Sequence, residues 1–201
     1  YTNLSKLLSK TLLDADAVHD PSCSLDDLEV HAEGLILLSG GALAGFVGTP
    51  AGDGRPTLAA ARADRLATIF GDRFYIELQR HGLGIERTAE PHLLEIADRL
   101  DLPLVATNDC RFEDAAMSQP HDTLVCIGTG RKFSETNRPR FSPEHYFKTA
   151  AQMSELFQDI PEAISNTLVI AKRCSTMARQ RDPILPPFES ADGRNEEDEL
   201  T

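Results

Sequence analysis

A chain of 201 residues with a formal charge of −12 is long enough to bury one proper core, and one domain is the expectation. Its acidity excludes a broad electrostatic grip on phosphate backbones, which depends on Lys and Arg displacing counterions, so no direct nucleic-acid binding is expected. No apolar run approaches the roughly 20 residues a membrane helix needs and no signal-peptide pattern stands at Tyr1, so no membrane is expected either.

The chain opens without Met on a helix that no strand precedes, which favours a piece of a longer protein. Leu4, Leu7, Leu8 and Leu12 recur at helical spacing in "TNLSKLLSKTLL", and a polar connection follows from Asp14 to Pro21. A short helix is expected near Ser24 to His31, opened by the Ser-x-x-Asp signal of Ser24 and Asp27. "GLILLSGG" is a continuous apolar run between glycines, the pattern of a strand buried on both faces. Residues 57–70 place Leu58, Ala61, Leu66, Ile69 and Phe70 on one side of a helix that stops at Gly71.

"RFYIELQ" reads as the second strand, "HLLEIADRL" as a helix with Pro91 in its first turn, and "PLVATND" as the third strand. Alternating strands and helices imply an α/β fold with parallel strands and right-handed crossovers, whose functional groups collect at the C-terminal strand ends. Those ends are 39–41, 79–81 and 108–111. Beyond Arg111 a helix is expected near 115–127, then the basic turn "GTGRKFSETNRPRF", then helices at 150–157 and 160–174, the last capped by Asp159 with Glu162 answering. "RQRDPILPPF" reads as a linker, and "ESADGRNEEDELT" as an acidic tail.

Of the six histidines, His19, His31, His81, His92, His121 and His145, only His81 and His121 fall near the inferred strand ends. In a strand, Glu77, Gln79 and His81 would share one side with His81 at its tip, half of a metal site or a plain capping His. Asp109, just past a buried strand, is placed as a ligand or general base, or as the cap of a turn. Cys110 would point the other way, as a small buried hydrophobe. Arg111 has five donors and no lone pair, so it replaces no metal ligand, yet it is suited to pair with Asp109. Asp122 is expected to favour the start of its helix. Cys23, Cys110, Cys126 and Cys174 lack CxxC spacing, so neither a zinc knuckle nor a disulfide framework is indicated and a reducing cytoplasm fits. "GTGRK" lacks the phosphate-loop spacing, "SGGALAG" is not the dinucleotide fingerprint, and no Gly-x-Ser-x-Gly elbow occurs.

Together "EGLILLSGG", "RFYIELQRHG", "LPLVATNDCRF", "HDTLVCIGTGRKF", "RPRFSPEHYFKTAAQMSELFQDIPEAISNTLVIAKRC" and "ILPPF" resemble, in order, the polymerase-and-histidinol-phosphatase (PHP) domain of bacterial DNA polymerase III α subunits. The resemblance implies a partial, distorted (β/α)7 barrel over residues 1–182 that lacks its first strands, with a helical C-terminal extension. It also implies a linker over 183–201 toward a polymerase region that uses Mg. Metal-binding members carry Ser-Gly-Cys where this chain has Ser39-Gly40-Gly41, and Asp-x-His where it has Asp109-Cys110-Arg111, while His81 and Asp109 match.

Read this way, His81, Asp109, Arg111 and Gly41 mark a vestigial metal site. No cofactor is expected in this piece, and the partners implied are the rest of the polymerase chain and the separate proofreading exonuclease subunit. The alternative is a metal-dependent phosphoesterase or 3′–5′ exonuclease using Zn or Mn on His81 and Asp109. An unrelated βα enzyme or partner-binding module is the third reading.

Overall fold

The computed structural model describes residues 1–15, 20–177 and 180–183. In chain order these form α1 (Thr2–Leu13), α2 (Leu25–Val30), β1 (Leu37–Leu38), α3 (Gly48–Gly52), α4 (Pro56–Phe70), β2 (Phe74–Leu78), α5 (Gly84–Leu100), β3 (Leu104–Ala106), α6 (Ser118–Thr129), α7 (Ala150–Leu156) and α8 (Pro161–Arg173). His19 and the expected linker and tail beyond Pro183 lie outside the described residues.

The expected parallel order is present as a three-stranded sheet, β1-β2-β3, which is not closed. β2 is central and all five of its residues are buried, the environment expected instead of "GLILLSGG", of which the edge strand β1 keeps only Leu37 and Leu38, both half-buried. The flanking ladders are shorter than their apolar runs: Leu37 and Leu38 pair with Phe74 and Tyr75, and Leu104 to Ala106 with Ile76 to Leu78. Ala59, Ala63, Leu66 and Phe70 of α4 join Ala89, Leu93, Ile96 and Ala97 of α5 in one core with β2. α8 packs on β3, where Asn166 Nδ2 donates to the Leu104 carbonyl at 2.8 Å and so satisfies the sheet edge.

Local signals fare unevenly. Ser24 Oγ accepts from the Asp27 N–H at 3.0 Å and the Asp27 carboxylate accepts from the Ser24 N–H at 3.3 Å, the expected reciprocal cap of α2. Only Leu7 of α1 is buried, whereas Leu8 and Leu12 face outward. Pro91 does not start its helix: α5 begins seven residues earlier at Gly84, and Pro91 sits exposed inside it. The Glu86 carboxylate accepts from the Leu83 N–H at 3.0 Å and fixes that earlier start, leaving the carbonyl that Pro91 cannot bond on the solvent side. Asp159 does not cap α8, whose N-terminal side carries Ile160 and Pro161, because Arg80 takes its carboxylate.

Asp122 is likewise not in the first turn of α6. Both its oxygens receive the Arg138 guanidinium, Oδ2 at 2.6 Å, which ties the basic turn after α6 back onto the helix. Arg138 is buried and stacks on Phe133. Its hydrogen bonds hold the Asp122 carboxyl below the ordinary value of 3.8, outweighing the opposing effect of burial. A carboxyl lowered on folding adds stability that is present above its unfolded value and lost as pH falls through its folded value. Asp122→Asn is therefore expected to lower the melting temperature at neutral pH. The gap from the parent should narrow below about pH 4, as thermal melts across that range will read.

Candidate functional site

The three strand-end segments meet as expected, at one end of the sheet. Ser39 leaves β1 buried, its N–H donating to the Tyr75 carbonyl at 2.9 Å and its hydroxyl accepting from the Glu77 N–H at 2.8 Å. The chain then turns through Gly40, at φ +79°, to Gly41. A Cβ built on Gly41 would stand 1.9 Å from Gln79 Oε1, so the Gln79 side chain fills the space into which a residue-41 side chain would project. Gln79 Nε2 donates to Glu77 Oε1 at 2.9 Å, and Thr107 donates to the same oxygen. Glu77 is thus a buried carboxylate held by neutral donors.

His81 lies past the end of β2 rather than at its tip beside Glu77 and Gln79. It is 1% exposed. Its Nδ1 is 2.7 Å from Glu86 Oε1, and its backbone N–H donates to Glu86 Oε2 at 2.7 Å. A carboxylate at Nδ1 places the proton there and leaves Nε2 as the acceptor, the orientation that a second carboxylate gives to metal-binding histidines. Here Nε2 accepts from the Asp109 N–H at 3.3 Å. Burial alone would raise the Glu86 carboxyl, but the hydrogen bonds from His81 and Leu83 hold it below the ordinary range.

Asp109 does face Arg111. Arg111 Nη2 and Nε both donate to Asp109 Oδ2, at 2.8 and 3.0 Å, and the guanidinium lies 4.7 Å above the Phe141 ring. The expected pair is present, with two donors on one oxygen. Cys110, between them, is exposed rather than buried: the strand ends at Ala106, so its alternation does not reach Cys110, and Asn108 Nδ2 donates to the thiol at 3.2 Å.

Two participants carry no strand-end signal. His145, set aside by its position in the sequence, stacks on His81 with ring centroids 3.9 Å apart and planes 13° from parallel. Ser142 fixes both: its hydroxyl donates to the His81 carbonyl at 2.8 Å and lies 3.1 Å from His145 Nδ1. Burial and the neighbouring His81 push the His145 ring below its ordinary 6.5, and its Nε2 is buried with no hydrogen-bond partner among the described residues. His121 contacts Phe112 and Phe141, and Phe141 in turn meets His145 edge-on, so an aromatic row backs the corner.

The donor set does not fit a metal cluster. Gly41 offers no ligand and Arg111 none, one Asp109 oxygen serves Arg111, and His81 Nε2 already accepts a proton donor. Among the described residues no group of three or more His, Cys, Asp or Glu side chains gathers at ligating distance, whereas a bound ion ordinarily takes about three protein ligands.

Residues 1–81 match the family model described as PHP domain, a match that ends on His81. Along its whole length the chain is 47% identical to the DNA polymerase III subunit alpha of Caulobacter vibrioides, of which it covers 17%. It is 39% identical over 96% of its length to that of Rickettsia bellii, covering 16% of that protein, and 38% identical over 98% to that of Escherichia coli, covering 17%. The chain thus spans about one sixth of the length of these relatives. No helix among the described residues is long and apolar enough to cross a membrane.

Proposed function

We propose, from a chain similar end to end to DNA polymerase III α subunits, that residues 1–182 are the PHP region of such a subunit and serve it as a scaffold. In this reading the region is a partial (β/α)7 barrel of a cytoplasmic replicative polymerase, a DNA-directed DNA polymerase whose own active site uses Mg. Its surface docks the proofreading exonuclease subunit. The observation that carries the scaffold reading is the Arg111 to Asp109 pair beside His81. A permanent cation held against the surviving carboxylate repels divalent ions and replaces their charge without needing them.

Asp109 Oδ1 and His81 Nε2 are the donors that match, and they support the second reading, a metal-dependent phosphoesterase or 3′–5′ exonuclease. The two part on metal content. Full-length protein dialysed against zinc or manganese and then against buffer is expected to retain less than one equivalent, unchanged by Asp109→Ala. Stoichiometric metal that His81→Ala and Asp109→Ala both remove, with chelator-sensitive hydrolysis of a 3′-terminal nucleotide, would establish the second reading instead.

A further inference from the structure

His81 is almost fully buried, yet one face of its ring is covered by a segment outside the hydrophobic core. Residues 130–148, which connect α6 to α7, return across the strand ends and lay Ser142 and His145 on it. The Ser142 hydroxyl donates to the His81 carbonyl at 2.8 Å, and the two imidazole rings stack at 3.9 Å. The far half of the segment is held where β3 has ended. There the Arg111 N–H donates to the His145 carbonyl at 2.7 Å, the Phe147 N–H to the Phe112 carbonyl at 3.0 Å, and Asn108 Nδ2 to the Tyr146 carbonyl at 2.6 Å. The near half is fastened to α6 by the Arg138 to Asp122 pair.

These fastenings are hydrogen bonds, one ion pair and a ring stack. From residue 127 to residue 156 the buried residues are His145 and Lys148, and nothing in 130–148 belongs to the apolar core that joins β2 to α4 and α5. The segment contains no helix, and one bridge, Phe112 to Tyr146, ties it to the chain after β3. A hydrogen bond exchanged for one to water costs little, whereas exposing apolar surface costs in proportion to its area. Segments with few buried apolar contacts are therefore the ones that open while the rest stays folded. Two buried atoms of this segment, Arg138 Nε and His145 Nε2, have no hydrogen-bond partner among the described residues, and opening returns both to water.

We infer that residues 130–148 form a strap that opens as one unit while the sheet, α4 and α5 stay folded, and that this opening sets access to the His81 ring. Asp122 is its latch on α6, and Ser142 its latch on the corner. The closed strap keeps reagents from the imidazole, and the open one admits them. The device is the same whether or not the corner takes a metal.

Hydrogen exchange and diethylpyrocarbonate modification of the full-length protein, both mapped by peptide mass spectrometry across sub-denaturing urea, provide the measurement. His81 is expected to react at least about tenfold more slowly than the half-buried His92 of α5. Its rate should follow exchange of the Arg111 and Phe147 amides, with a shallow urea dependence, because strap opening exposes little surface. Amides of β2 should exchange more slowly and with a steep dependence. Ile76→Val should speed β2 exchange severalfold, the effect of one buried methylene, and leave the strap and His81 unchanged. Asp122→Asn should speed His81 modification and strap exchange about tenfold, the loss of a charged hydrogen bond, and Ser142→Ala should act in the same direction. Modification of His81 in step with β2 exchange in every variant, modification as fast as that of His92, or a rate unchanged by both Asp122→Asn and Ser142→Ala would each overturn the proposal.

Discussion

Gly48→Ala is expected to cost about 3 kcal/mol, at the upper end of what overpacking imposes on a close-packed interior. A Cβ at residue 48 would stand 2.4 Å from the Gly41 carbonyl oxygen, 2.5 Å from its carbon and 2.6 Å from the Gly40 oxygen. These are backbone atoms and have no rotamer into which to retreat. The 40–48 loop must open, and with it moves Ser39, whose hydroxyl satisfies the buried Glu77 N–H. Gly41→Ala makes the informative contrast, because its closest approach of 1.9 Å is to the end of the Gln79 side chain. That amide can swing away for the loss of a hydrogen bond or so, about 1 kcal/mol. Urea denaturation of the two variants should separate them clearly, and Gly41→Ala/Gln79→Ala should recover part of the smaller loss. Equal costs would show that the backbones are not in the contact claimed.

The glycine spacing of "SGGALAGFVG" was open to reading as close approach, since glycine recurs where backbones must touch. It fits neither a phosphate loop nor the dinucleotide fingerprint, and its structural meaning depends on contacts across the loop. What the sequence disclosed well was local: the Ser24 and Asp27 cap and the Asp109 to Arg111 pair two residues apart in one turn. The double burial expected of "GLILLSGG" belongs to β2 instead, because β1 is an edge strand of two half-buried residues. His145 and Glu86 were not legible because neither sits at a strand end. His145 reaches His81 only once the chain returns past α6 through the Phe112 to Tyr146 bridge, and Glu86 looks like any exposed acid until α5 starts early enough to aim it at His81. Asp159 misled for a related reason. An Asp two residues before a helix-starting Pro is a sound cap signal, but a guanidinium brought from β2's far end offers it stronger hydrogen bonds than the helix N-terminus.

Arg80→Ala is expected to lower stability by about 2–4 kcal/mol, a range set by removing one partner from a partly buried charge network. Arg80 Nε and Nη2 donate to the two Glu90 oxygens at 2.9 and 2.6 Å, its terminal nitrogens to the two Asp159 oxygens at 2.7 and 2.8 Å, and Nη1 to the Leu156 carbonyl at 2.7 Å. The guanidinium also covers the fully buried Phe157 at 4.6 Å from the ring centroid. One planar cation therefore joins α5 to the junction of α7 and α8, directly beside His81. Asp159 is 57% exposed and can be rehydrated, but Glu90, at 23%, loses its counter-charge in a half-buried setting. Arg80→Lys is the discriminating variant: it keeps the charge but has one nitrogen where three are used, so it should recover less than half of the loss. Chemical denaturation at low and high salt reads both variants, and the deficit should persist in salt because the fork is screened less than an exposed pair. A lysine variant as stable as the parent would mean that charge alone holds the junction, leaving the planar geometry at Arg80 without a structural role.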